Sequence, residues 1–208
     1  MKANFLLLFC LSALFLKAQD KQVPISDIIK LQNSSFEGTP QDATTPVGWH
    51  RCQRGTTPDI LPGIWGVYNE PSEGETYVGL ITRPDGSFES IGQRLNAALQ
   101  PGECYSFSVD AAHSKTYTGY NKSIKLRVWG GSTKCAKDLL IGQTDFVEEE
   151  EWETFIFEIN PVEGQPINYL ILEAFYTDKD FERKGNILLD NVSVIKRCKR
   201  AAADVFRG

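Results

Sequence analysis

The sequence predicts an all-β sandwich of two sheets, and three observations carry that prediction. Apolar and polar residues alternate with a period of two in segment after segment. Polar turn signals separate these segments at short spacing. Beyond residue 32, no run of ten or more residues has helical periodicity.

Residues 1–18 have the make-up of a secretory signal peptide. Lys2 supplies the positive start, residues 5–16 are almost wholly apolar, and Ala18 precedes the expected cut before Gln19. A lipoprotein cysteine at Cys10 is the competing reading, and it would leave a very short apolar run. No second long apolar run follows, so the protein is expected to be secreted or at the cell surface, the periplasm included, with no membrane span. Residues 19–32 form a leader with one apolar patch (Ile25, Ile28, Ile29), read as a single helical turn. The sandwich occupies 33–198, and 199–208 form a basic, frayed tail.

Within the sandwich, strands are expected at 75–82, 88–95 and 105–109, with turns at 71–74, 83–86 and Pro101-Gly102 between them. Tyr105, Phe107 and Val109 share one face. The segment 123–129 places Ile124, Leu126 and Val128 inward against Lys125, Arg127 and Trp129 outward. Further strands are expected at 152–159, at 169–176 (apolar apart from Glu173) and at 186–195.

The formal net charge of −5 becomes more negative once Lys2 and Lys17 are removed, which argues against nucleic acid as a partner. Without Cys10, four cysteines remain: Cys52, Cys104, Cys135 and Cys198, an even number in an oxidising compartment. Three pairings are possible. If the strand after Cys104 pairs with the one before Cys135, those two finish at one edge, leaving Cys52 to Cys198. No Cys-x-x-Cys motif occurs to suggest zinc.

Catalytic motifs are missing. The sequence has no Gly-x-Ser-x-Gly elbow, no phosphate loop and only two histidines, His50 and His113. Glu173, on an apolar strand, must face water, pair with Arg127 or meet a ligand. The aromatics are more informative. Sugar rings stack their C–H faces on Trp and Tyr while their hydroxyls need polar partners. Trp129, Arg127, Tyr120 and Tyr117 fit such a surface, as do Trp65, Tyr68 and Tyr176, whereas Trp49 and Trp152 read as structural.

Two carboxylates bracket the sandwich: Glu37, after Asn33-x-x-Phe36, and Asp190, in the last strand. If the first and last strands meet, these acids repel unless a cation lies between them, and calcium is the usual occupant. Otherwise Asp190 makes a turn or accepts backbone hydrogen bonds.

Four motifs then resemble, in order, a carbohydrate-binding module of the galactose-binding-like superfamily. They are Asn33-x-x-Phe36-Glu37 with Pro46-x-Gly48-Trp49; Gly74-Glu75-x-Tyr77-x-Gly79; Glu89 through Gln93-x-Leu95 with Gly102-x-x-Tyr105-x-Phe107; and Leu189-Asp190-Asn191-Val192. The resemblance implies a jelly roll with a structural Ca2+ held by Glu37, Asp190 and backbone carbonyls. More narrowly, Pro58-Asp59, Trp65-Gly66 and the stretch 126–131 are similar to extracellular modules of Bacteroidetes surface proteins. The expected function is a secreted, non-catalytic module that binds a glycan or polysaccharide through Trp65, Tyr68, Tyr120, Arg127, Trp129, Glu173 and Tyr176. The alternative is a structural or adhesion module making contacts with cell-surface proteins.

Overall fold

The alternating segments do become strands. The computed structural model describes residues 27–198 apart from 163, 165 and 178–183. The signal peptide read at 1–18, the leader up to 26 and the tail at 199–208 lie outside the described residues. The strands are β1 (Ile28–Ile29), β2 (His50–Arg51), β3 (Asp59–Leu61), β4 (Tyr77–Thr82) and β5 (Ser90–Leu99). Next come β6 (Tyr105–Ala112), β7 (Lys122–Ser123), β8 (Lys125–Gly131) and β9 (Leu139–Gln143). The last are β10 (Glu153–Ile159), β11 (Ile167–Phe175), β12 (Gly185–Asp190) and β13 (Ile195–Arg197). No helix of the described residues is long and apolar enough to cross a membrane.

These strands make a two-sheet jelly-roll sandwich. The larger sheet runs β1-β13-β6-β12-β4-β3, with β10 on β6 and β7 on β12; the smaller runs β2-β5-β11-β8-β9. The inward stripes meet in one core. Ile91, Leu95, Leu126, Val128, Leu170 and Leu172 of the smaller sheet pack with Val78, Leu80, Phe107, Val109, Ile187 and Leu189 of the larger. Each such side chain, once buried, contributes about 1.5–3 kcal/mol. A second buried cluster (Leu61, Val67, Tyr77, Ile81, Ala112, Tyr117, Leu188) covers the outer face of the larger sheet.

Two expectations are corrected. Ile28 and Ile29 form a strand, not a helical turn: they pair with Lys196 and Ile195 of β13, so the first strand closes on the last. The disulfides are Cys52–Cys135 and Cys104–Cys198, not Cys104–Cys135 and Cys52–Cys198. The expected pairing needed β6 and β8 side by side, but they belong to different sheets. Cys104 instead precedes β6 and Cys198 follows β13, and these two strands are neighbours. Strand β9 escaped the sequence reading because its half-exposed residues carry no clean alternation.

Candidate ligand face on the five-stranded sheet

Directly paired residues on antiparallel strands share a face. With Leu126, Val128, Leu170 and Leu172 in the core, their alternates project outward. The registers set Ser90, Glu173, Arg127 and Gln143 in one row across β5, β11, β8 and β9. The next row holds His50, Gly92, Ile171 and Trp129, and the third Arg94, Tyr169 and Gly131. Three residues expected at a ligand site, Arg127, Trp129 and Glu173, therefore come together.

Their side chains are tied to one another. The Trp129 indole N–H donates to Glu173 Oε1 at 3.1 Å. Arg127 donates through Nε to Gln143 Oε1 at 2.7 Å and lies over the Phe175 ring, 3.1 Å from its centroid. Glu173 is almost fully buried and pairs with Lys137 from the loop at 132–138. Burial, then the nearby Arg127 charge, lowers the Lys137 pKa below its ordinary value. That loop is a strap. Cys135 bonds to Cys52 beyond β2, and Ser132 donates through N and Oγ to Asp138 Oδ2 at 2.7 and 2.6 Å.

Ser90 Oγ and His50 Nε2 are buried here without a hydrogen-bond partner. They are the two such side-chain atoms among the described residues, and both belong to this face. Burial, then Lys134, holds His50 below its usual pKa, favouring the neutral imidazole. His50, Ser90, Tyr169 and Lys137 were not singled out as ligand residues from the sequence. Their membership of the face is a matter of register and strap position, which no local pattern encodes.

The remaining expected residues go elsewhere. Trp65 (44% exposed) and Tyr68 (73% exposed) lie in the loop after β3, over the outer face of the larger sheet and so on the opposite side of the sandwich. The Trp65 indole donates to Asp42 Oδ1 at 3.0 Å, and its carbonyl accepts from the Thr118 backbone N–H at 2.9 Å. Tyr120 is half-buried and packs with the second core cluster. Two aromatic assignments are corrected. Tyr176 is buried in the main core, edge-on to Phe88, and Tyr117 is buried with its hydroxyl donating to Asp59. Tyr176 continues the inward stripe of β11 and its hydroxyl donates to the Arg83 carbonyl, while Tyr117, in the loop after β6, fills the second cluster. Trp49 and Trp152 are structural, donating to the carbonyls of Asn33 and Glu70.

Glu37 and Asp190 lie on either side of the segment 72–75. The turn that presents Glu37 is closed by Asn33, whose Oδ1 accepts from Glu37 N at 2.8 Å and whose Nδ2 donates to Glu37 O at 3.0 Å. Asn33 has φ +49°, a left-handed conformation that Asn tolerates better than most residues. Glu37 accepts from Glu75 N at 3.1 Å. Asp190, fully buried, accepts from Ser72 N at 2.9 Å, Glu73 N at 3.0 Å and Asn191 N at 2.7 Å. Its pKa is pushed up to about 6 by burial, with the Glu37 charge adding in the same direction. Among the described residues no Lys or Arg forms an ion pair with either acid. Asp190 thus accepts backbone hydrogen bonds, the alternative the sequence left open for it, and the two acids present hard oxygen donors of like charge beside the segment 72–75.

No family model matches the chain, and no curated protein matches it. Solved structures do. The chain is similar to the apo form of a cyclase from Fischerella sp., at 15% identity over 82% of this chain and 96% of that one, TM-score 0.58. It is similar to a cyclase from Fischerella sp. TAU in complex with 4-(1H-indol-3-yl)butan-2-one, at 16% identity over 84% and 100%, TM-score 0.57. It is also similar to the CBM22-1 xylan-binding domain from Paenibacillus barcinonensis Xyn10C, at 18% identity over 86% and 100%, TM-score 0.53. At such identities the likeness establishes the sandwich fold. That fold is common to enzymes and to a carbohydrate-binding domain, so function rests on the site.

Proposed function

We propose that this protein is an exported, non-catalytic glycan-binding module, of the kind found in Bacteroidetes surface proteins, that seats a polysaccharide on the outer face of the five-stranded sheet. The observation that carries the reading is the cluster on that face. The Trp129 ring offers a stacking surface and the Arg127 and Gln143 side chains offer hydroxyl partners, while the buried Glu173 holds the Trp129 indole in place from below. Likeness to a xylan-binding domain makes xylan the first polysaccharide to try.

In affinity electrophoresis against a polysaccharide panel, the protein is expected to be retarded without releasing reducing sugar. Trp129→Ala is expected to weaken binding at least tenfold, about 1.4 kcal/mol, while Trp65→Ala leaves it unchanged. Retardation that survives Trp129→Ala overturns the assignment of the face. A second reading rests on the exposed Trp65 and Tyr68 loop across the sandwich: an adhesion module making protein contacts. A blank panel together with loss of cell-surface attachment in Trp65→Ala favours it.

Calcium between Glu37 and Asp190 belongs to the same proposal, as a brace for the fold. The raised Asp190 pKa fixes the sign of its pH dependence. The folded state holds this proton more tightly than the unfolded chain, so the contribution is fully present below the ordinary value near 3.8. It is lost as pH rises through about 6. A bound cation removes that penalty only where the carboxylate is ionised. Calcium at about 100 times its dissociation constant is therefore expected to raise the melting temperature at pH 7 by roughly 5–10 °C over chelator, and to do nothing at pH 4. Identical melts at pH 7 with calcium and with chelator eliminate the ion.

A further inference from the structure

We infer that the outer face also holds a latent metal site: when the Cys52–Cys135 disulfide is reduced, the two cysteine sulfurs and His50 Nε2 bind a thiophilic cation, Zn2+ being the one this ligand set suits. The inference does not depend on glycan binding.

Three observations point to it. The ligand atoms of His50, Cys52 and Cys135 all lie within 4.8 Å of one another. His50 Nε2 is buried and donates to or accepts from nothing among the described residues, so the lone pair that would ligate a metal is uncommitted. The strand beneath them carries no side chain at the point of closest approach. A Cβ at Gly92 would stand 2.8 Å from Cys52 Sγ and 3.2 Å from His50 Nε2. Glycine at that position leaves the sulfurs and the imidazole facing one another.

The surroundings suit the chemistry. Tyr169 meets the His50 ring edge-on at 5.9 Å and helps to fix its orientation. His50, Cys52 and Cys135 are each half-buried, so a reductant and a metal can reach them. Lys134, whose charge acts on His50, offsets part of the negative charge of two thiolates. The strap that carries Cys135 has other attachments, Lys137 to Glu173 and Asp138 N to Gly130 O at 3.0 Å, which do not need the disulfide. The other disulfide has no counterpart to this arrangement. The chain's second histidine, His113, donates from its backbone N–H to the Glu149 carbonyl on the larger sheet's side, away from Cys104 and Cys198.

The redox step balances with a dithiol as reductant. It delivers two electrons and two protons, the S–S bond breaks to give two thiols, and the dithiol becomes a disulfide. Binding the cation then releases both thiol protons. In a tetrahedral site with Zn–S near 2.3 Å, the sulfurs stand roughly 3.8 Å apart. The Cα atoms, 5.0 Å apart, allow this by side-chain rotation. Three protein ligands leave the fourth position to water or to an incoming ligand.

The test uses the full mature chain reduced with a phosphine, with Co2+ as the spectroscopic probe and Zn2+ as competitor, and circular dichroism to follow the fold. One equivalent of Co2+ is expected to produce thiolate-to-cobalt charge-transfer absorption and the visible bands of a tetrahedral site, both displaced by Zn2+. Cys52→Ser is expected to abolish the charge-transfer band, His50→Ala to weaken affinity at least tenfold, and Cys104→Ser to leave both unchanged. Absence of the bands in reduced, folded protein overturns the inference, as does His50→Ala with wild-type affinity. A reduced chain that binds Co2+ only after losing its β-sheet signal overturns it too, because the site must be made by the fold.

Discussion

Replacing Glu89 with alanine is expected to lower the folding free energy by about 3–5 kcal/mol, with a fall in melting temperature of roughly 6–20 °C. Glu89 is 1% exposed, and its carboxylate joins three pieces of chain. Oε1 accepts from Thr57 N at 2.8 Å, Thr57 Oγ1 at 3.0 Å and Arg83 Nη2 at 2.5 Å, while Oε2 accepts from Ile81 N at 3.1 Å. Alanine would leave two backbone N–H groups and the Thr57 hydroxyl without their acceptor, and the largely buried Arg83 guanidinium without its counter-charge, keeping its hydrogen bond to Thr57 Oγ1 at 3.0 Å. That is the costly way to break a buried pair. Glu89→Gln keeps one oxygen but loses the charge, and should fall between the two. Denaturant unfolding measures both. A loss under about 1 kcal/mol for Glu89→Ala would mean that water replaces the carboxylate, contrary to its burial.

Glu89 also marks how far the sequence could be read. It was legible as part of a motif and not as a buried junction, because Ile81 and Arg83 meet it across a turn while Thr57 comes from a distant loop. The stripes of β6 and β8 were readable from period two alone, and Phe107, Val109, Leu126 and Val128 do face the core. Nothing in either stripe says which sheet it joins. That choice depends on long-range pairing, and it is what reversed the disulfides. Arg127 and Trp129 were correctly turned outward, yet their neighbours were hidden until β11 and β5 fell into register. Glu173 was expected to meet solvent, Arg127 or a ligand. Its partner Lys137 comes from the strap at 132–138, which no local pattern places on this face. Tyr176 and Tyr117 misled for a simple reason: an aromatic with a hydroxyl serves a core as well as a surface if an acceptor lies within reach. The approach of Glu37 and Asp190 was legible because it follows from closing the first segment on the last, as the Val192 N to Ser34 O hydrogen bond at 2.9 Å records.

Removing the Cys104–Cys198 disulfide, as the double variant Cys104→Ser with Cys198→Ser, is expected to cost about 2–5 kcal/mol. The bond spans 94 residues of sequence, a long loop whose closure restricts the unfolded chain heavily. It also guards a thin part of the fold. β13 is three residues long and meets β6 through Lys196↔Ser106 and Arg197↔Tyr105; β1 adds two residues outside it. Ile29 and Ile195, both fully buried, depend on that edge staying closed. The ion pairs there are a weaker reserve. Arg197 reaches Glu103 at 2.5 Å, but its 3.7 Å contact with the exposed Asp27 contributes little. Hydrogen exchange in the variant is therefore expected to rise first in β1 and β13, while β5, β8 and β11 keep their protection. Because the candidate ligand face lies on the other sheet, polysaccharide affinity of the folded variant should match that of the parent chain. Exchange that rises equally in β8 and β11 would show that the two sheets open together, and that the closure of β1 on β13 is not a separate latch but part of one cooperative unit.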